Sequence, residues 1–429
     1  MSNWKKISDF IIFSTKGITP KYVENSSIIV LNQKCIRNGV IDYSMSQFTD
    51  DTKQVSEIKF VKRGDILINS TGTGTAGRCA FVDELPANKK LITDSHILLL
   101  RCNSYFEARC LSYLLFSFEN SLMSFMTGSS GQGELDKVAV LNLLTKLPEA
   151  EDTQQKIAKV LSDLDSKIEL NNKINAELEA MAKTLYDYWF VQFDFPDEKG
   201  KPYKSSGGKM VWNKELKREI SEGWEVGTLL DISTFTNGLA CQKFRPNDNE
   251  DSFRVIKIRE MGSGFTENSE FVSTNIPEKV IVYNGDILFS WSATLDVKIW
   301  TGGTGGLNQH IFKVTSKKYP KSYYYFELLN YLQHFKMMAE LRKTTMGHIT
   351  QDHLKESRIT IPPMDLINKL DGIIKPILEK KVKLEEENQE LASFRDWLLP
   401  MLMNGQVKVG EVEKELGMVA ESGVEYKRR

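Results

Sequence analysis

Apolar positions along this chain follow two patterns. Short β-type runs recur at Ser27 to Leu31, Asp65 to Asn69, Cys79 to Val82 and Ile97 to Leu100. A second set lies at Arg254 to Ile258, Val280 to Tyr283, Asp286 to Ser290 and His310 to Val314. Two long stretches instead step by three and four residues. From about Thr153 to Phe190 the seam reads Ile157, Leu161, Leu164, Ile168, Ile174, Leu178, Met181, Leu185 and Tyr188, with Asn171 and Asn175 inside it. From about Leu366 to Leu399 it reads Leu370, Ile374, Ile377, Leu384, Asn388, Leu391 and Leu398, with Lys381 and Arg395 at heptad positions. Such spacing predicts coiled-coil helices, the second bent near its start by Pro376. A helix of ~38 residues is ~57 Å long at 1.5 Å per residue, which outruns a small domain and calls for a partner helix. The economical partner is the other seam, packed antiparallel.

The strand-rich segments repeat. Gly64-Asp65-Ile66-Leu67 recurs as Gly285-Asp286-Ile287-Leu288, and Ser95-His96-Ile97 recurs in form as Gln309-His310-Ile311. Each copy continues into an aromatic helical segment (Tyr105 to Met126, Tyr323 to Leu341), then a polar loop (Thr127 to Gln132, Thr344 to His348), then an apolar run ending in proline (Leu147-Pro148, Ile361-Pro362-Pro363). A long helix follows each proline. The order is domain, helix, domain, helix, with each domain read as α+β around a curved, partly antiparallel sheet. Asp194-Phe195-Pro196 to Gly208 is rich in turn formers and reads as a linker. The segment Tyr186-Asp187-Tyr188-Trp189-Phe190 reads either as a partner-binding cluster or as burial against the second helix.

Composition adds little until it is divided. The 429 residues carry a net charge of −1, and no apolar run approaches the ~18 residues of a membrane span. Five cysteines, never spaced C-x-x-C, argue against a zinc ribbon or a disulfide framework and for a reducing cytoplasm. By segment, residues 1–148 hold 17 Lys/Arg against 14 Asp/Glu, and residues 201–366 hold 22 against 19. Residues 149–200 hold 6 against 12, so two mildly basic domains flank an acidic helix.

With the repeat in place, the chain resembles the specificity subunit of type I restriction-modification systems. The resemblance spans about residues 4 to 410. It rests on GDILINSTGTGTAGR (Gly64 to Arg78), the loop Thr127 to Gln132, and EDTQQKIAKVLSDLDSKIELNN (Glu151 to Asn172). FDFPDEKGKPY (Phe193 to Tyr203), SEGWE (Ser221 to Glu225) and RDWLLPMLMNGQV (Arg395 to Val407) complete it. The second domain departs, with Ser290-Trp291-Ser292-Ala293-Thr294 in place of the glycine loop. The resemblance implies two target-recognition domains, 1–150 and 223–364, joined by antiparallel spacer helices, 151–192 and 365–404, in a pseudo-twofold repeat. The linker is then 193–222 and a flexible tail 405–429. It further implies a non-catalytic chain that reads a bipartite, asymmetric double-stranded DNA target. Two modification subunits using S-adenosylmethionine and restriction subunits using ATP and Mg2+ are implied partners, docked on the long helices. No cofactor is expected on this chain and no membrane.

Polar loop residues are the candidate DNA contacts. In the first domain they are Lys34, Arg37, Asn38, Ser70, Thr71, Thr73, Arg78, Ser129, Ser130 and Gln132. In the second they are Arg245, Lys257, Arg259, Trp291, Asn308, Gln309, Lys343, Thr345 and His348. His96 and His310, ahead of apolar strand residues, read as satisfied structural histidines. Gly72-Thr73-Gly74-Thr75-Ala76-Gly77 imitates a dinucleotide fingerprint, but Cys79 to Val82 reads as a strand where a helix N-terminus is needed. Arg78 and Cys79 likewise replace the lysine and hydroxyl of a P-loop. Asp197 with Glu215 and Lys217 imitates a nuclease metal site but lies in the linker. The rival class is a coiled-coil scaffold that never meets DNA, which a salt-dependent DNA affinity would exclude. A standalone nuclease would reveal itself by Mg2+-dependent cleavage by the isolated chain.

Overall fold

The computed structural model describes residues 4–37, 39–51, 55–72, 74–127, 133–341 and 349–410. Two compact units divide the chain, Met1–Lys167 with Leu391–Arg429, and Ile168–Glu390. The boundary runs through both long helices, so each unit includes part of each.

In the first unit, Ile11–Lys16, Ile97–Cys102, Ile66–Asn69 and Cys79–Phe81 form an antiparallel sheet in that order. A second sheet orders Lys90–Thr93, Ile28–Leu31, Gln47–Thr49 and Tyr22–Val23, its first pair parallel. The second unit repeats both layers. Thr234–Asn237, Ile311–Thr315, Ile287–Ser290 and Asp296–Ile299 form the antiparallel sheet. Phe271–Ser273, Ser252–Ile256, Gly305–Leu307 and Ile281–Val282 form the mixed one, again with one parallel pair. The central strands Ile28–Leu31, Ile66–Asn69 and Ile287–Ser290 are buried along their whole length, which explains their near-continuous apolar runs.

The Gly-Asp repeat is a repeat of atoms. Gly64 and Gly285 take φ of 92° and 85°, where a Cβ is disfavoured. The Asp65 carboxylate accepts the Lys62 amide at 2.7 Å, and Asp286 accepts that of Tyr283 at 2.8 Å. Each aspartate also holds a cation beneath the sheet. Asp65 is bridged by Arg101 at 2.6 and 2.7 Å, and Asp286 by Lys313 at 2.7 Å. The motif recurs because one short turn satisfies a backbone donor together with a carboxylate that is buried at Asp65 and partly buried at Asp286.

The long helices run Glu151–Tyr186, ending in a wide turn Asp187–Val191, and Met364–Asn404, which continues unbroken through Pro376. Within the second unit Asn171 donates to Glu387 at 3.1 Å and Asn388 at 2.9 Å, while Lys381 pairs with Glu179. Rising numbers on one helix meet falling numbers on the other, so the pairing is antiparallel. In the first unit Asp165 receives Arg395 at 2.7 Å in the same sense.

The seam itself differs from the expected one. Asn171, Asn175, Ala182 and Tyr186 are buried, whereas Ile174, Met181 and Tyr188 are exposed. The two asparagines keep their expected place in the seam, and Ile174, Met181 and Tyr188 drop out of it, because apolar spacing alone slips to the neighbouring face. The cluster Tyr186 to Phe190 resolves toward burial: Tyr186, Trp189 and Phe190 join the core of the second unit.

Residues 193–222 are folded rather than extended. Phe193 and Phe195 pack on Trp224 with ring centres 5.0 and 5.5 Å apart, and Met210–Asn213 pairs with Arg218–Ser221 as a hairpin. The aromatic residues among the turn formers carried that signal. Of the expected tail, Val409 is buried in the first unit, and residues 411–429 lie outside the described ones.

Candidate nucleic-acid interface

The described candidate residues of the first unit gather at one end of its antiparallel sheet. The turn after Ile66–Asn69 is held by Ala76 donating to the Gly72 carbonyl at 3.0 Å and Gly77 to that of Asn69 at 2.8 Å. The chain then enters strand Cys79–Phe81, so the glycines make a hairpin and no helix N-terminus stands where a pyrophosphate would need one. Gln33 crosses to this turn, donating to the Thr71 hydroxyl at 2.6 Å, and Asn69 donates to the Gln33 carbonyl at 3.0 Å. That places Lys34 beside Thr71. Gly39 bridges to Ala80, which brings Arg37 to the same end. Lys34 and Arg37 are exposed and have no ion-pair partner among the described residues. Arg78 is half-buried near Glu119, whose carboxyl burial pushes up, against the lowering effect of the hydrogen bond from Cys79 and of Arg78.

Ser70 corrects the sequence reading. It is 1% exposed, and its carbonyl and amide tie the turn to Leu135 and His96, so its hydroxyl is inside the fold rather than facing a ligand. The side chain is inside because both faces are covered here, every residue from Ile66 to Ser70 being buried. His96, read as a structural histidine, is instead exposed. Asn38, Thr73, Ser129, Ser130 and Gln132 lie outside the described residues.

The second unit builds the equivalent end. Trp291 stands where Ser70 stands, its carbonyl accepting the Ile349 amide at 2.9 Å as that of Ser70 accepts Leu135. The indole packs on His310 and Phe312 at 5.6 and 5.8 Å and donates to Asn237 at 3.2 Å. Gln309 is half-exposed beside it. Asn308 corrects the expectation, being 7% exposed, with its side chain accepting the His310 amide at 3.3 Å and so capping the turn. Arg245, Lys257 and Arg259 form a neighbouring cluster. Lys257 pairs with Glu270, and Arg259 reaches the buried Glu260 at 2.6 Å. Arg245 is exposed and lines a shallow depression with Gln242, Glu270 and Phe271. Glu270 is held below the usual carboxylate range, first by its bond to Lys257 and then by the surrounding cations. Lys343, Thr345 and His348 lie outside the described residues.

The nuclease-like triplet is taken up elsewhere. Asp197 accepts the Lys199 and Lys201 amides at 2.8 Å, and Glu215 pairs with Arg358 at 3.6 Å. No helix among the described residues is long and apolar enough to cross a membrane.

A twice-built α+β domain whose sheet end carries hydroxyls, amides and cations has the chemistry of a recognition surface. Comparison makes the class specific. Residues 1–180 and 221–392 match the family model for the type I restriction modification DNA specificity domain, and the chain belongs to that family. It is similar to the MjaIX specificity subunit of Methanocaldococcus jannaschii, 28% identical over 312 residues and covering 70% of each chain. It is 25% identical over 468 residues to the HindI specificity subunit of Haemophilus influenzae, covering 95% of this chain and 100% of that one. The fold is similar to that of a type I restriction-modification S subunit from M. genitalium, with a TM-score of 0.52 at 14% identity, covering 93% and 96% of the two chains. The protein is thus a DNA-recognition subunit of a type I restriction-modification system.

Proposed function

We propose that each unit reads one half of a bipartite, asymmetric DNA target, and that this chain contributes recognition while the chemistry belongs to partner subunits. The repeat carries the reading. Two domains share their strands, their Gly-Asp turn and the sheet end at which candidate contacts gather, yet differ in the side chains placed there. Thr71 and Arg78 with Lys34 and Arg37 mark one end, and Trp291, Gln309 and Arg245 the other. Shared scaffolds with different polar surfaces suit two different base sequences, because phosphate contacts position a protein and groove contacts specify it.

The partners are two modification subunits, which carry S-adenosylmethionine for adenine methylation, and restriction subunits, which carry ATP and Mg2+. Support for helix docking is the stripe Leu170, Ile174, Met181 and Tyr188, left exposed because the seam runs through the asparagines. The five cysteines are buried free thiols, which suits a reducing cytoplasm.

The test is methylome sequencing of cells that carry this chain with its cognate modification subunit. A bipartite N6-methyladenine motif dependent on the chain is expected, with Arg78→Ala altering one half alone. Absence of chain-dependent methylation from a soluble complex overturns the reading.

A further inference from the structure

Both units hold an imidazole in the same register against a hydroxyl at the sheet end. In the first, His96 Nδ1 lies 2.9 Å from the Thr71 hydroxyl. In the second, His310 Nδ1 lies 3.3 Å from that of Ser292. Thr71 and Ser292 each stand two residues past the strand that follows the Gly-Asp turn, and each histidine immediately precedes the next strand of the same sheet. The backbone repeats as well, since the His96 carbonyl accepts the Ser70 amide at 2.8 Å and that of His310 accepts Trp291 at 3.3 Å.

The two rings differ in what remains free. The Thr71 hydroxyl accepts the Gln33 amide at 2.6 Å and keeps its own proton to give to His96 Nδ1. In that arrangement the ring hydrogen sits on Nε2, which has no partner among the described residues. In the second unit the Gln309 amide lies 3.3 Å from His310 Nε2, and Trp291 packs over the ring. His310 is closed on both nitrogens, whereas His96 presents one donor from an exposed ring beside Lys34 and Thr71.

We infer that His96 contacts DNA, donating from Nε2 to an acceptor in the half of the target read by the first unit, while His310 is confined to positioning its own turn. This rests on the proposed reading of one unit per half-site. The acceptors with the right chemistry are guanine N7 or O6, thymine O4, adenine N7 and phosphate oxygens.

The experiment uses the full chain in complex with its modification subunits, binding a target duplex and a scrambled duplex. His96→Phe keeps the ring's bulk and removes the donor, and His96→Gln restores a donor amide near Nε2. His96→Phe is expected to lower target affinity about five- to tenfold, with His96→Gln staying within about threefold of wild type. Loss confined to the target duplex, with one half of the methylation motif relaxed, assigns a base acceptor. Equal loss on the scrambled duplex assigns a phosphate. Wild-type binding and an unchanged motif in His96→Phe, with thermal melting preserved, overturn the contact while leaving the half-site reading intact. A wild-type complex with a motif that cannot be divided into halves overturns the reading, and one that binds neither duplex overturns both.

Discussion

Replacing Glu327 by Gln should change how the stability of the second unit depends on pH. Glu327 is 8% exposed on helix Lys321–Leu341 and accepts a hydrogen bond from the Tyr186 hydroxyl at 2.6 Å. Burial raises its carboxyl from an ordinary 4.5 to about 7, against the opposing pull of the Tyr186 bond, Arg218 and Lys183, with Asp187 reinforcing the rise. The folded state therefore keeps a proton that the unfolded chain releases near 4.5. Between those values the folded state binds more protons, so wild-type stability falls as pH rises and the loss is complete above about 7. At about 1.4 kcal/mol per tenfold in proton affinity, the ceiling is about 3 kcal/mol. Gln keeps an acceptor for Tyr186 and has no charge to bury, though its amide adds a pH-independent cost of about 1–3 kcal/mol if left unpaired. The measured quantity is accordingly the pH trend of the difference between variant and wild type in urea denaturation. The variant should gain relative to wild type from pH 5 to 8 and then level off. A difference that stays constant over that range, or shrinks, refutes the argument.

Asn175 is buried with neither side-chain oxygen nor nitrogen partnered among the described residues, so Asn175→Leu should stabilise the second unit by about 1–3 kcal/mol in the same denaturation assay. Asp65→Asn strands the largely buried Arg101 and should cost about 3–5 kcal/mol, while Asp286→Asn should cost less because Asp286 keeps 21% of its side chain exposed against 1% for Asp65. Lys34→Ala with Arg37→Ala should flatten the plot of log affinity against log salt by roughly one to two, as measured by DNA titration at several salt concentrations.

Much of this molecule was legible where one physical cause dominates. The strands were visible because central strands covered on both faces leave runs such as Ile28 to Leu31 with no room for polar residues. The repeat was visible because the Gly-Asp turn needs a left-handed backbone and a carboxylate at fixed positions. What escaped were the places where two causes compete. Asn171 and Asn175 read as seam residues and are buried, yet apolar spacing also drew Ile174, Met181 and Tyr188 into a heptad that runs instead through Ala182 and Tyr186. Phe193 and Phe195 sit among turn formers, and the local signal for a loop masked a tertiary demand for aromatic packing. Ser70 and Asn308 look like surface contacts by type, yet a strand covered on both faces and a turn cap hold them inside, which residue type does not encode.

Backbone support of the sheet end explains why two domains can diverge in what they read without losing their fold. The amides of Leu135 and Ile349 tie that end through the carbonyls of Ser70 and Trp291, and backbone atoms are indifferent to side-chain identity. Side chains projecting from that end carry little of the stability, because Lys34, Arg37 and Arg245 are exposed and outside the apolar cores. Substitutions there cost the fold almost nothing while changing the surface offered to bases. Ser70 and Trp291 show how far this reaches: the same backbone hydrogen bond supports a buried hydroxyl in one unit and an indole packed over an imidazole in the other. A scaffold held by backbone contacts, with a recognition surface that is energetically peripheral to it, is free to change its target by substitution at the sheet end alone.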